Sequence, residues 1–128
     1  MNIFHKLDKS TEIISISDLK KAKPCISGLR RLNKGLKQNH GKTYSRLPKG
    51  YVITAADCEF LSTPDYIFAI LETSNTTLLE ILAKDEDCYV REAVARNQNT
   101  PMASLKILAK DEDFRVRSAL NNNKLINK

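Results

Sequence analysis

Between residues 73 and 124 the apolar positions fall at helical spacing, and they do so twice. Leu79, Leu82 and Ala83 line one face of a short helix; after a charged DED triplet, Val90, Ala93 and Val94 line another. Leu105, Leu108 and Ala109, then Val116, Ala119 and Leu120, give the same arrangement 26 positions later. Thr100 followed by Pro101 predicts a helix start, with the hydroxyl as cap and proline at the first helical position. Ser74 holds the matching place in the first copy. Asp87 and Asp113 stand where the second helices need N-caps, and a carboxylate there also meets the positive end of the helix dipole.

Upstream the pattern is less regular. Thr63 and Pro64 followed by DYIFAILE predict another capped helix, with Ile67, Ile70 and Leu71 on a shared face. Thr54 followed by AADCEFL predicts a short helix with Ala55, Cys58 and Leu61 inward. Residues 54–72 are thus expected to form a degenerate first pair that seals the inner end of a stack. EIISIS (12–17) suits a short strand, or an extended lead into a helix capped by Ser17. SDLKKAK stops at Pro24, as a chain does before proline. CISGLRRLNK (25–34) predicts a helix with Ile26, Leu29 and Leu32 apolar, although Gly28 weakens it. GLKQNHGKTYSRLPKG (35–50) predicts a loop, and NNNKLINK at the end a frayed tail.

Residues 73–98 laid over 99–124 need no gap, and 12 of 26 positions are identical, ILAKDED among them. This is a tandem duplication, and a helix pair of this size buries its apolar faces only by stacking on a neighbour. The recurring residues are Asn99, Thr100, Pro101, Leu105, Leu108, Ala109, Asp111, Val116, Arg117, Ala119, Leu120 and Asn123. The first copy has Leu79, Leu82, Ala83, Asp85, Val90, Arg91, Ala93, Val94, Ala95 and Asn97, with Thr73, Ser74 and Asn75 where NTP would stand. The pattern resembles HEAT-like repeats, most closely the bacterial variant leucine-rich repeats. The resemblance implies an α-solenoid that presents surfaces and implies no reaction. It also implies a structural ladder between repeats, built here from Asp85 and Asp111 with Arg91 and Arg117. The expected fold class is all-α: a short HEAT-like α-solenoid of stacked helix pairs (54–128) after a small basic helical domain (1–53). Within residues 16–58, the phrases SDLKKAKPCISGL and VITAADC resemble a small domain of uncharacterised bacterial and phage proteins, which implies no activity.

Charge changes the picture more than composition does. Residues 1–50 carry twelve Lys and Arg against three Asp and Glu, a net of +9; residues 51–128 carry nine against twelve, a net of −3. A basic half joined to a mildly acidic one points to macromolecular partners. Three cysteines, odd in number and far apart, argue against a disulfide framework and for a reducing, cytoplasmic setting. No apolar run approaches the ~20 residues of a membrane span, and MNIFHKLDKS does not read as a secretory signal.

The sequence offers little chemistry. His5 and His40 sit in no nucleophile motif, and Cys and His spacing gives no zinc arrangement. Gly41, Lys42 and Thr43 copy the tail of a phosphate loop, but Leu36 stands where its first glycine belongs. The DED triplets lack the convergent ligands of an oxygen cage and read as architecture. With no tryptophan, the chain also lacks the aromatic-lined cleft of HEAT-like DNA glycosylases. The expectation is a non-enzymatic chain with no cofactor, no metal, no membrane and no small-molecule substrate.

Two binding surfaces remain. The outward residues of the second helices, Tyr89, Glu92, Arg96, Arg115, Ser118 and Asn122, suit another protein. Lys20, Lys21, Lys23, Arg30, Arg31, Lys34, Lys37, Lys42, Arg46 and Lys49 suit phosphates instead, with Tyr44 placed to stack on a base. Protein binding is the leading reading, as an adaptor or inhibitor. Size and charge suit a phage or bacterial conflict factor, such as an immunity protein or an inhibitor of a nucleic-acid-guided nuclease. Nucleic-acid binding by the basic half is the alternative.

Overall fold

The computed structural model describes residues 7–22, 24–121 and 123, without the side chains of residues 22, 63, 64, 66 and 68. The predicted tail after 123 lies outside the described residues. The chain is mostly helical, and the all-α expectation needs one correction. Strand β1 (Glu12–Ser15) pairs antiparallel with β2 (Val52–Thr54), in the register Ile14 to Ile53 and Ser15 to Val52, with an irregularity between Glu12 and Ile14. Ile13, Ile14 and Ile53 are all buried, so the ribbon is covered on both faces, where β-branched residues pack well.

Helix α1 (Ile16–Ala22) follows β1 directly and is opened by Ser15, whose Oγ accepts the Asp18 N–H at 3.1 Å; Ser17 is not the cap. Helix α2 (Ile26–His40) runs six residues past the predicted end, because Leu36 continues the buried stripe begun by Leu32. It stops at Gly41, whose φ of 71° lets its N–H reach the Lys37 carbonyl. Ile26, expected on the apolar face, is exposed at its start.

Thr54 opens a 3₁₀ turn (Ala55–Cys58), and α3 (Thr63–Glu72) is opened by Ser62, one residue before the predicted threonine. Asp65 completes that cap, its Oδ2 accepting from the Ser62 N–H and hydroxyl, both at 2.9 Å.

The duplicated segment folds as two helix pairs: α4 (Thr76–Leu82) with α5 (Cys88–Arg96), then α6 (Met102–Leu108) with α7 (Phe114–Leu120). Asp87 and Asp113 accept from the Tyr89 and Arg115 N–H groups, each at 2.8 Å. The first helices start differently from expectation. Asn75, not Ser74, caps α4; Thr100 is buried and its hydroxyl donates to the Val94 carbonyl at 2.6 Å, leaving Pro101 at the cap position. Helix α5 packs between α3 and α7, and Leu79, Leu82, Val90, Val94, Leu105, Leu108 and Val116 are sealed inside. Ala109 is exposed although its counterpart Ala83 is buried, because no further pair covers it among the described residues.

Two buried asparagines 26 positions apart fasten each unit to the one before. Asn97 Nδ2 donates to the Ile70 carbonyl at 2.6 Å and the Thr73 carbonyl at 2.9 Å. Asn123 Nδ2 donates to the carbonyls of Ala95 at 2.8 Å and Asn97 at 3.1 Å. The ribbon joins the same system: the Thr73 hydroxyl donates to the Ile13 carbonyl, and Asn75 Nδ2 to that of Glu12. Buried apolar residues form one cluster from Ile13 to Leu120.

Candidate protein-binding surface

Each second helix exposes its first turn. The Asp87 and Asp113 caps fix where α5 and α7 begin, which sets Tyr89 and Arg115, one repeat apart, side by side. The Arg115 guanidinium lies 5.3 Å from the centre of the Tyr89 ring, and its Nη1 donates to the Tyr89 hydroxyl at 3.3 Å. Tyr89 is 52% exposed and Phe114, next to Arg115, 64%. The patch therefore combines two aromatic rings and a stacked, pre-ordered guanidinium. Farther along α5, Glu92 and Arg96 pair at 3.6 Å, and Ser118 is exposed on α7. Asn122 lies outside the described residues. Phe114 escaped the sequence reading because it is apolar but out of phase with the buried stripe of its helix. That mismatch is itself the signal that could have found it.

Beside this patch, the DED loops are braced by arginine. Arg91 forks onto Asp111, Nε to Oδ2 at 2.8 Å and Nη2 to Oδ1 at 3.2 Å, while its Nη1 donates to the Asp85 carbonyl at 2.8 Å. Burial alone would raise the Asp111 pKa, but the Arg91 hydrogen bonds, the Asp113 N–H and the nearby Arg117 charge hold it below the ordinary value. Of the four residues in the implied ladder, these two meet. The Asp85 carboxylate accepts the Asp87 N–H at 2.9 Å, and the Arg117 Nη1 donates to the Asp111 carbonyl. Neither Asp85 nor Arg117 has an ion pair among the described residues. One repeat before Arg91 stands Asp65, so Asp85 has no arginine to receive.

This asymmetry is measurable. Arg91→Ala is expected to cost about 3 kcal/mol in urea unfolding, because it strands a largely buried carboxylate. Arg117→Ala, at an exposed position, is expected to fall within about 0.5 kcal/mol.

The basic surface is divided in the same way. Arg30, Lys34 and Lys37 are exposed along α2, with Lys34 Nζ 4.4 Å from the centre of the Phe60 ring. Lys20, Lys42, Arg46 and Lys49 are also exposed, Tyr44 is partly covered, and Lys21 lies 3.5 Å from Asp18. Arg31 is engaged instead: it forks onto the buried Asp65 carboxylate at 2.6 and 3.1 Å, pinning α2 to the start of α3. Lys23 lies outside the described residues.

A polar cluster around Asp57 escaped sequence reasoning altogether. Its carboxylate, 1% exposed, accepts from Asn39 Nδ2 at 2.8 Å, the Tyr51 hydroxyl at 2.9 Å and the Thr54 N–H at 3.1 Å, with His40 Nε2 at 3.0 Å. Tyr51 and His40 also meet, at 2.5 Å. Burial would raise the Asp57 pKa, but these donors outweigh it and hold the group below the ordinary carboxylate value. Burial pushes the Tyr51 hydroxyl well up. The donors come from α2 and from β2 with its approach, while the 3₁₀ turn carries the carboxylate, which thus works as a joint between them. Its only available sequence signal was the Thr54-x-x-Asp57 spacing of a capping box, which Ser62 and Asp65 share.

Among the described residues no cluster of three or more His, Cys, Asp or Glu is arranged to hold a metal, and no helix is long and apolar enough to cross a membrane. No family model matches the chain, and no curated protein or solved structure matches it significantly.

Proposed function

We propose that the chain is a non-enzymatic protein-binding module, an adaptor or inhibitor, in which a short HEAT-like solenoid presents Tyr89, Arg115 and Phe114 to a partner. The exposed Tyr89–Arg115 stack beside Phe114 carries the reading. Aromatic residues and arginine dominate the energetic centres of protein interfaces, and a guanidinium already held on a ring loses little freedom on docking. The resemblance to surface-presenting repeats supports it. A cytoplasmic setting fits the three free thiols. A conflict-factor role, with a nucleic-acid-binding complex as target, fits the acidic balance of residues 51–128, since such a target has a basic surface.

A second reading is favoured by one observation: Arg30, Lys34 and Lys37 share an exposed face of α2. That face could follow a phosphate backbone. Affinity capture from host extract, with and without nuclease, separates the two. The leading reading expects a partner that survives nuclease and is lost at least tenfold with Tyr89→Ala or Arg115→Glu. If reversal of Arg30, Lys34 and Lys37 to glutamate abolishes capture instead, and capture falls steeply with salt, the second reading replaces it.

A further inference from the structure

We propose that the outer side of the α6–α7 pair receives a helix pair from another protein, which sets an aspartate or glutamate against Arg117 as Asp111 is set against Arg91. The proposal rests on the protein-binding reading and names what the partner must carry.

Arg91 uses Nη1 to hold its own loop at the Asp85 carbonyl, which leaves Nε and Nη2 directed at the Asp111 carboxylate of the following unit. Arg117, 26 positions on, adopts the same posture: its Nη1 holds the Asp111 carbonyl. Its Nε and Nη2 have no carboxylate among the described residues, and the side chain is exposed. A planar fork held on one edge is suited to a bidentate acid on the other.

The surroundings match. Three residues covered on the first unit have exposed counterparts one repeat later. Ala83 is 4% exposed and Ala109 is open; Ala95 is sealed and Asn121 is open; Cys88 is partly covered and Phe114 is 64% exposed. The exposed side of α6–α7 thus continues the surface by which α5 takes α7. Its small Ala109 permits close approach, and Phe114 offers an apolar edge.

Other occupants fit less well. In a second copy of the chain, the face equivalent to the incoming one is already used by α3 and by Asn97, which donates to the Ile70 and Thr73 carbonyls. Two copies meeting end to end would oppose Arg117 to Arg117. A nucleic-acid backbone would meet Glu112 and Asp113 beside the arginine.

The test is photo-cross-linking from the full chain carrying benzoylphenylalanine at Ala109, in extract of the native host, with the adduct mapped by mass spectrometry. The expected adduct is on a helical segment of another protein with Asp or Glu within one turn. It should fall about tenfold or more with Arg117→Glu and return when that acid is changed to arginine. Circular dichroism of Arg117→Glu, together with the milder Arg117→Lys, excludes loss of fold. Adducts on a second copy, on nucleic acid or on the chain's own residues 124–128 would overturn the proposal. So would no adduct, or one indifferent to Arg117→Glu. If Tyr89→Ala abolishes capture while Arg117→Glu leaves it intact, the binding reading stands and this inference falls.

Discussion

Gly35→Ala is expected to destabilise the protein by about 3 kcal/mol or more, the largest loss for the smallest change. A Cβ at this position would lie 2.2 Å from the Asp57 carbonyl oxygen and 3.0 Å from its carbon. Both are backbone atoms of the 3₁₀ turn and cannot rotate aside. Helix α2 would have to lift off the turn, taking Asn39 and His40 away from the Asp57 carboxylate. Helix propensity favours alanine by only about 1 kcal/mol, so the clash wins. Urea unfolding should show a lower midpoint with an unchanged slope. Gly50→Ala, where a Cβ meets nothing within 4 Å, is the control and should be neutral or slightly stabilising.

Asp57→Ala is expected to cost about 3 kcal/mol, because it empties a buried site and takes away the acceptor shared by the Tyr51 hydroxyl, the Asn39 amide and the partly buried Thr54 N–H. Asp57→Asn should cost less, since one oxygen still accepts, and it isolates the ionic part. The folded-state pKa of Asp57 lies below the ordinary 3.8. Its contribution is therefore complete above about pH 4 and is lost as the pH falls through the lower, folded value. Asp65 and Asp111 are depressed in the same direction and add to the wild-type decline. The test is thus the difference between two curves: Asp57→Asn should lose less stability than wild type between pH 5 and the acid limit. Parallel curves would mean that folding leaves the Asp57 pKa unchanged, and a wild-type curve that falls less than the variant's would mean that Asp57 folds uncharged.

Much of the helical half was legible because two signals agreed. The 3.6-residue period marked Leu79, Leu82, Val90 and Val94, and the duplication marked them again at Leu105, Leu108, Val116 and Leu120. The same 26-residue offset relates Tyr89 to Arg115, which the fold sets side by side. First-helix caps were harder, since Thr100 is drawn inward by the Val94 carbonyl and tertiary demand overrode a good local signal. The basic half resisted because its determinants are long-range. Gly35 reads locally as a helix breaker, yet it is a contact point for a turn 22 residues away. Arg31 reads as one cation among many until Asp65, 34 residues later, takes it. No spacing rule links Asn39, His40 and Tyr51 to Asp57.

The Asn97 and Asn123 joints have an evolutionary consequence. Each amide donates to a main-chain carbonyl outside its own block, Asn97 to Ile70 and Asn123 to Ala95 and Asn97, and such acceptors exist whatever side chains the neighbour carries. A newly copied block therefore brings its own fastener and asks no matching mutation of its neighbour. Arrays of this kind can lengthen or shorten by slippage at the gene while the seams stay sound.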